Sequence, residues 1–349
     1  MTDVFAHPWL GGLFHDDAMA AIWGPKRQLE HYVAFEAAWS RALGQAGIVD
    51  AAIAEKAAQT IEAADIDVAD LRAGSGRDGL AIPAFVQQLR TQAGSEAVHS
   101  GSTSQDVMDT GLVLTLRETS SLLTERLDQL RAALFDLEAR FGDRALMGRT
   151  RMQAATPITV ADRIETWRMP LDGHLERLAR MKDTIERVQI GGASGDRAAM
   201  QGKGQALADA VAQTLQLRST AKAWHVMRAD LTDYANALAL ITGSLGKMGQ
   251  DICLMAQQGL DEIKLGGGGT SSAMPHKQNP IAAELLVTLA RFNAVQVSGM
   301  HQAMVHEQER SGSAWTLEWM ILPQMAMATG RSLSAALDVC RKVEHMGAP

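Results

Sequence analysis

Leu116, Leu123, Leu130 and Leu137 recur at intervals of seven, and Leu127, Leu134 and Phe141 form a second row offset by four. One face of a helix returns at those spacings, so the pattern predicts a seam of a/d type sustained over about seven turns. Residues 161–188 repeat the arrangement, with Ile164, Leu171, Leu178 and Ile185 beside Trp167, Met181 and Val188. The positions between them carry Arg, Glu, Lys and Asp, as a solvated face should. Pro170 and Gly173 predict a kink in this helix, not a break. Further helical stretches are expected at 202–217, 228–262, 280–309 and 314–345, with glycine-rich breaks at 191–195 and 266–269. No segment alternates as a half-buried strand would. The pattern predicts an all-α chain: a small N-terminal helical domain over 1–98, a long central helical bundle over 99–335, and a short remainder over 336–349.

Composition narrows the function classes. The 349 residues are 46% hydrophobic, enough for a substantial core, and the formal net charge is −7. An acidic balance argues against general binding to nucleic acid or anionic membrane, which draws on basic surface. Cys253 and Cys340 have neither the paired spacing of a disulfide framework nor that of a metal site. Residues 1–8 lack the basic run and apolar core of a signal peptide. The most apolar long stretch, 235–256, contains Asn236, Lys247, Gln250 and Asp251, and so is expected as a buried helix, not a membrane span. A soluble, cytoplasmic protein is the expectation.

Candidate chemistry concentrates in residues 267–280. Gly267, Gly268 and Gly269 precede Thr270, Ser271 and Ser272, and Ala273, Met274, Pro275, His276, Lys277, Gln278, Asn279 and Pro280 follow. Glycines let a loop fold tightly over a small ligand. The polar groups supply a hydroxyl for proton transfer, a cation for a carboxylate and an amide for developing oxyanion charge. Composition alone is equally that of a polar surface loop. The order of residues is more specific: it resembles the Ser-Ser-x-Met-Pro-x-Lys-x-Asn-Pro signature of the fumarase/aspartase superfamily, with Thr270 where a glycine is usual.

Two further segments resemble the same superfamily. Residues 99–106, with Ser102, Thr103, Ser104 and Asp106, read as a helix N-cap cluster. A helix N-terminus is also an anion site, and the likeness to the superfamily's Thr-Ser-x-Asp region implies hydroxyls on a substrate carboxylate. Residues 148–153 hold Arg149, Arg151 and Gln153 between two long helices. Taken alone, the arginines suit a helix C-terminus. Their likeness to an Arg-Thr-His-x-Gln stretch places Arg151 where many members have a proton-donating histidine. Arginine stays protonated and cannot serve as that acid. A carboxylate leaving group, whose conjugate acid has a pKa of about 4, needs no such acid. Arg151 would instead grip a carboxylate bidentately.

Other features have plainer readings. Residues 189–195 look like the superfamily's glycine turn and fail as a dinucleotide fingerprint, since no strand precedes them. Trp224, His225 and Arg228 suit a packed helix start. His301 and His306, five apart, point to different helix faces and make a poor metal pair. Trp315 and Trp319 fit a core stripe, yet Glu309-Arg310-x-Gly312-x-x-Trp315-x-x-Glu318-Trp319 resembles the 3-carboxy-cis,cis-muconate cycloisomerase branch.

The resemblance covers nearly the whole chain and carries expectations of its own. It implies a homotetramer of long-helix bundles, with each active site built from three segments of three different subunits, and a shortened C-terminal domain. It also implies a cycloisomerase acting on a small tricarboxylate in protocatechuate (aromatic-acid) degradation, without metal or organic cofactor. Ser271, Lys277 and Asn279 would be catalytic. Ser102, Thr103, Ser104, Arg149, Arg151, Gln153, Ser272, Met274 and Arg310 would bind substrate. The alternatives are a fumarate-releasing lyase of the adenylosuccinate or argininosuccinate type and a non-catalytic helical scaffold.

Overall fold

A computed structural model describes residues 3–267, 269–270 and 278–348. The chain opens with α1 (Gly11–Phe14), α2 (Asp17–Trp23), α3 (Pro25–Gln45), α4 (Ala51–Glu62), α5 (Val68–Asp78) and α6 (Ile82–Ala93). Helix starts follow local chemistry. The Asp16 carboxylate accepts from Met19 N at the start of α2, and Asp50 does the same for Ala52 N and Ile53 N at the start of α4. These bonds satisfy first-turn donors that have no partner inside the helix.

The body is built from α7 (Ser104–Phe141), a hairpin of β1 (Ala145–Thr150) and β2 (Gln153–Thr159), α8 (Val160–Ile185), α9 (Gly204–Leu215), and α10 (Ala229–Met255). After it come β3 (Ile263–Leu265), β4 (Gly269–Thr270), β5 (Gln278–Asn279), α11 (Ile281–Ala303), α12 (Ser313–Lys342) and β6 (Val343–Met346). The leucine seam of α7 is buried as its spacing predicts: Leu116, Leu123, Leu127, Leu130 and Leu134 are fully enclosed. Each such side chain contributes about 2 kcal/mol of transfer free energy. α8 runs unbroken through Pro170.

α7, α10 and α12 run in one direction, and α8 and α11 return between them. Arg228, at the start of α10, meets Asp109 near the start of α7 and Glu318 near the start of α12. At the far end Arg140 of α7 donates to Val343 O just past α12, and β3 pairs antiparallel with β6. α10 and α11 pack tightly at Gly249, where a Cβ would lie 2.5 Å from Ala283 O and 2.7 Å from Leu286 Cβ. α11 has a mean hydropathy of 1.2 with 28% of that window buried, so it is long and apolar enough to cross a bilayer, although here it packs against α10 and α12. Val295 of α11, Leu240 of α10 and Met320 of α12 are exposed.

The strand-free expectation is corrected by the β1–β2 hairpin. It is register-shifted between Met147 and Arg149 and turns at Arg151 and Met152, whose φ values are +48° and +69°. Only Leu146 of β1 is buried, so the hairpin lacks the one-sided burial that writes period-two alternation into a sequence. Two helices also end sooner than their apolar runs suggest. α10 stops at Met255 instead of 262, and the chain beyond it turns through Gly259 and Asp261, both at positive φ. α11 stops at Ala303 instead of 309. The expected boundary at 335 lies inside the continuous α12.

Candidate active site

The polar segment 99–106 is held by elements on both sides. From α3, Trp39 Nε1 donates to Ser100 O at 3.0 Å, Ser40 Oγ donates to Ala97 O at 3.0 Å, and Glu36 Oε1 lies 2.5 Å from His99 Nδ1. His99 and Gly101 take φ of +59° and +75°, the turn that delivers the chain to Thr103 at the N-cap of α7.

Asp106, fully buried in the first turn of α7, organises what surrounds it. Its Oδ1 accepts from Gly191 N at 2.8 Å and from His225 Nε2 at 2.9 Å; its Oδ2 accepts from Gly192 N at 2.9 Å and Thr103 N at 3.2 Å. Ser102 Oγ donates to the same oxygen at 3.4 Å. One carboxylate thus binds the serine–threonine segment to the glycine turn at 191–195. Gly192 has φ +68°, and a Cβ there would lie 3.0 Å from Gly101 O, so the turn has no room for a side chain. Arg310 arrives from the segment before α12 and donates Nη2 to Ala193 O at 3.0 Å and Gly192 O at 3.4 Å. Its Nε is buried without a hydrogen-bond partner among the described residues, as is His225 Nδ1. Ser102, Thr103, Ser104 and Arg310 therefore gather at one end of the bundle.

Directly beneath lies a buried ion cluster. Arg228 donates Nη1 to Asp109 Oδ2 at 2.7 Å and Nη2 to Glu318 Oε2 at 2.6 Å. Gln105, Gln189 and Trp315 also donate to Asp109. Burial opposes the Arg228 charge, but Asp109 and Glu318 outweigh it and raise its pKa above the ordinary arginine value. By local sequence alone Asp106 is a helix cap and Arg228 a packed residue at a helix start. The signal for more was the 106/109 pair of acids, which share one face of α7 at a spacing of three.

The remaining candidates sit at the opposite end. Arg149 Nη1 donates to Glu262 Oε1 at 2.6 Å, so its charge is already offset within the chain. Arg151 and Gln153 are exposed on the hairpin. A cavity of about 490 Å³ is lined by Arg149, Arg151, Arg163, Lys247 and Glu262. Gln257 and Leu254 belong both to it and to a neighbouring cavity of about 760 Å³ that holds Gln278 and Asn279. Gly269 pairs with Asn279 and Thr270 with Gln278. Ser271, Ser272, Met274 and Lys277 lie outside the described residues. Among the described residues no three His, Cys, Asp or Glu side chains cluster as a metal site would need.

The two ends are far apart. α10 spans the distance with 27 residues, about 40 Å at the usual helical rise. One copy of the chain therefore brings Arg151 and Asn279 to one end of the bundle and Thr103 and Arg310 to the other.

Comparison with known proteins adds independent findings. A family model described as a lyase matches residues 14–299. The chain is 35% identical over 353 residues to 3-carboxy-cis,cis-muconate cycloisomerase of Pseudomonas aeruginosa, an alignment covering 99% of this chain and 77% of that one. It is 29% identical over 331 residues to N-acetyl-S-(2-succino)cysteine lyase of Enterococcus italicus, covering 93% and 73%. The solved 3-carboxy-cis,cis-muconate lactonizing enzyme of Pseudomonas putida superposes with a TM-score of 0.90 at 34% identity, over 97% of this chain and 77% of that one.

Proposed function

Because this chain belongs to the lyase family of the fumarase/aspartase superfamily, we propose that it is a cycloisomerase converting 3-carboxy-cis,cis-muconate to a carboxymuconolactone. The observation that carries this reading is the near full-length similarity to a relative of that activity. Arg151 supports it, because a site without an acid at that position suits a carboxylate as nucleophile or leaving group.

In the forward direction a substrate carboxylate oxygen adds to a conjugated double bond, and a proton is delivered to the adjacent carbon. The reverse removes that proton and expels the carboxylate. Ser271 transfers the proton at carbon, while Lys277 and Asn279 stabilise the enolate-like charge that develops next to a carboxylate. A serine hydroxyl is a weak acid and base, so a neighbouring cation or loop amides must activate it. Arg151 grips one carboxylate. Arg310, whose Nε has no partner among the described residues, takes another. Ser102, Thr103, Ser104 and Gln153 complete the orientation, together with Ser272 and Met274 of the reacting segment. Arg149, paired with Glu262, contributes by holding the hairpin. Sites of this composition need more than one copy of the chain, since the segments lie about 40 Å apart in a single copy. The exposed apolar positions on α10, α11 and α12 suit burial against further copies in a homotetramer.

The test is to mix purified protein with 3-carboxy-cis,cis-muconate in the presence of EDTA and follow the diene absorbance. Folded protein that leaves the signal unchanged would refute the reading. Ser271→Ala should lower turnover by about two powers of ten; an unchanged rate would remove Ser271 from the chemistry. Release of fumarate from adenylosuccinate, argininosuccinate or N-acetyl-S-(2-succino)cysteine is the outcome that would favour an eliminating lyase instead.

A further inference from the structure

The cavity of about 490 Å³ at the hairpin end holds more positive charge than its own acids offset. Arg149, Arg151, Arg163 and Lys247 line it against Asp251 and Glu262, a formal surplus of +2 with no histidine in the lining. Both acids are already engaged. Glu262 takes Arg149 at 2.6 Å; Asp251 takes Lys247 and also accepts from Trp167 Nε1 at 2.7 Å. Arg151 and Arg163 remain, and neither guanidinium has an ion-pair or hydrogen-bond partner among the described residues.

Arg163 is the cation that the three superfamily-like segments leave out. It lies in the opening turn of α8, four residues before Trp167, so the two side chains share a face. The bond from Trp167 to Asp251 shows that this face is turned to α10. Arg163 is half-buried. A helix dipole disfavours a cation in an opening turn, and a charge partly withdrawn from water calls for a counter-ion. Local helix chemistry therefore gives no reason for an arginine at this position, whereas an anion in the cavity does. The volume lies within the range of small-molecule sites.

We propose that Arg163 is a further substrate-binding residue, which together with Arg151 grips two carboxylates of one ligand. Two planar guanidinium forks match two carboxylates bidentately. A monocarboxylate leaves one fork unmatched, so the pair selects for polycarboxylates. The identity of the natural ligand rests on the cycloisomerase reading; the grip itself is read by binding alone.

Two measurements on the full chain test it. In turnover of 3-carboxy-cis,cis-muconate, Arg163→Gln should raise KM at least about tenfold and leave kcat within about threefold, the signature of lost uniform binding. In calorimetric titration, wild type should bind trans-aconitate, a tricarboxylate, at least about tenfold more tightly than crotonate, a monocarboxylate, and Arg163→Gln should lose that margin. Arg163→Lys keeps the charge without the fork and should recover only part of the loss. It also carries the test if Arg163→Gln does not fold, because unchanged aconitate affinity in Arg163→Lys would show that no bidentate grip existed. Wild type that binds aconitate as proposed but does not turn over the muconate would overturn the cycloisomerase reading and leave the grip standing. No aconitate binding by wild type up to ~10 mM, equal affinity for the two acids, or a KM unmoved by Arg163→Gln would each overturn the grip.

Discussion

Asp106 is one buried carboxylate that receives Thr103 N, Gly191 N, Gly192 N and His225 Nε2. Asp106→Asn keeps the volume but turns an amide NH2 toward backbone donors. The variant should lose about 2 kcal/mol or more, because buried donors lose a charged acceptor. Urea unfolding measures this, and an unchanged midpoint would mean that the turn is held by packing alone. His174 supplies a pH test at the same scale. Burial, and secondarily the charge of Arg177, lowers its pKa from the ordinary 6.5 to about 4. The ring lies 2.8 Å from Ser244 Oγ. Between those two values the unfolded chain binds a proton that the folded chain does not, so stability falls as the pH drops from 6.5 toward 4. Thermal melts across that window should show wild type losing stability relative to His174→Gln, and parallel curves would contradict the assignment. The acids at 106 and 109 were visible in the sequence as polar residues of a helix start. Their partners at 189, 191, 192, 225, 228 and 315 lie 80 or more positions away, and no local pattern links them.

The β1–β2 hairpin is the element that the hydrophobic pattern conceals. Its two central residues, Arg151 and Met152, are neither glycine nor asparagine yet both take positive φ, a conformation that costs a non-glycine residue about 1 kcal/mol. Two-residue hairpin turns normally select Asn-Gly for that reason. Arg151→Asn with Met152→Gly should therefore leave stability unchanged or raise it by up to about 2 kcal/mol. The same pair of changes should reduce turnover of 3-carboxy-cis,cis-muconate at least about tenfold if Arg151 grips a carboxylate. A variant both stable and fully active would remove Arg151 from the site. The long helices were legible for the opposite reason. α7 buries one continuous stripe along 38 residues, so its period is written out many times. A hairpin with one buried residue in its first strand repeats nothing.

At the scale of the whole molecule, the parallel run of α7, α10 and α12 fixes which segments can meet. It sends residues 102–106 and 310 to one end and residues 149–153 and 278–279 to the other. Thr103→Ala/Ser104→Ala and Ser271→Ala proteins, each nearly inactive, should regain activity when unfolded and refolded together, since a mixed assembly can hold some sites free of either change. Refolded mixtures no more active than the separate variants would argue that each site is built within one copy. The sequence by itself determined the helical architecture, because a 3.6-residue period and buried leucine spacing are properties of neighbouring residues. It also determined the candidate reactive groups, because their order along three short segments is specific to one superfamily. Only the tertiary structure decided that Asp106 carries the glycine turn, that Arg149 is spent on Glu262, that Arg228 joins two buried acids, and that the segments stand a helix length apart. Those are relations between distant parts of the chain, fixed by how the helices pack.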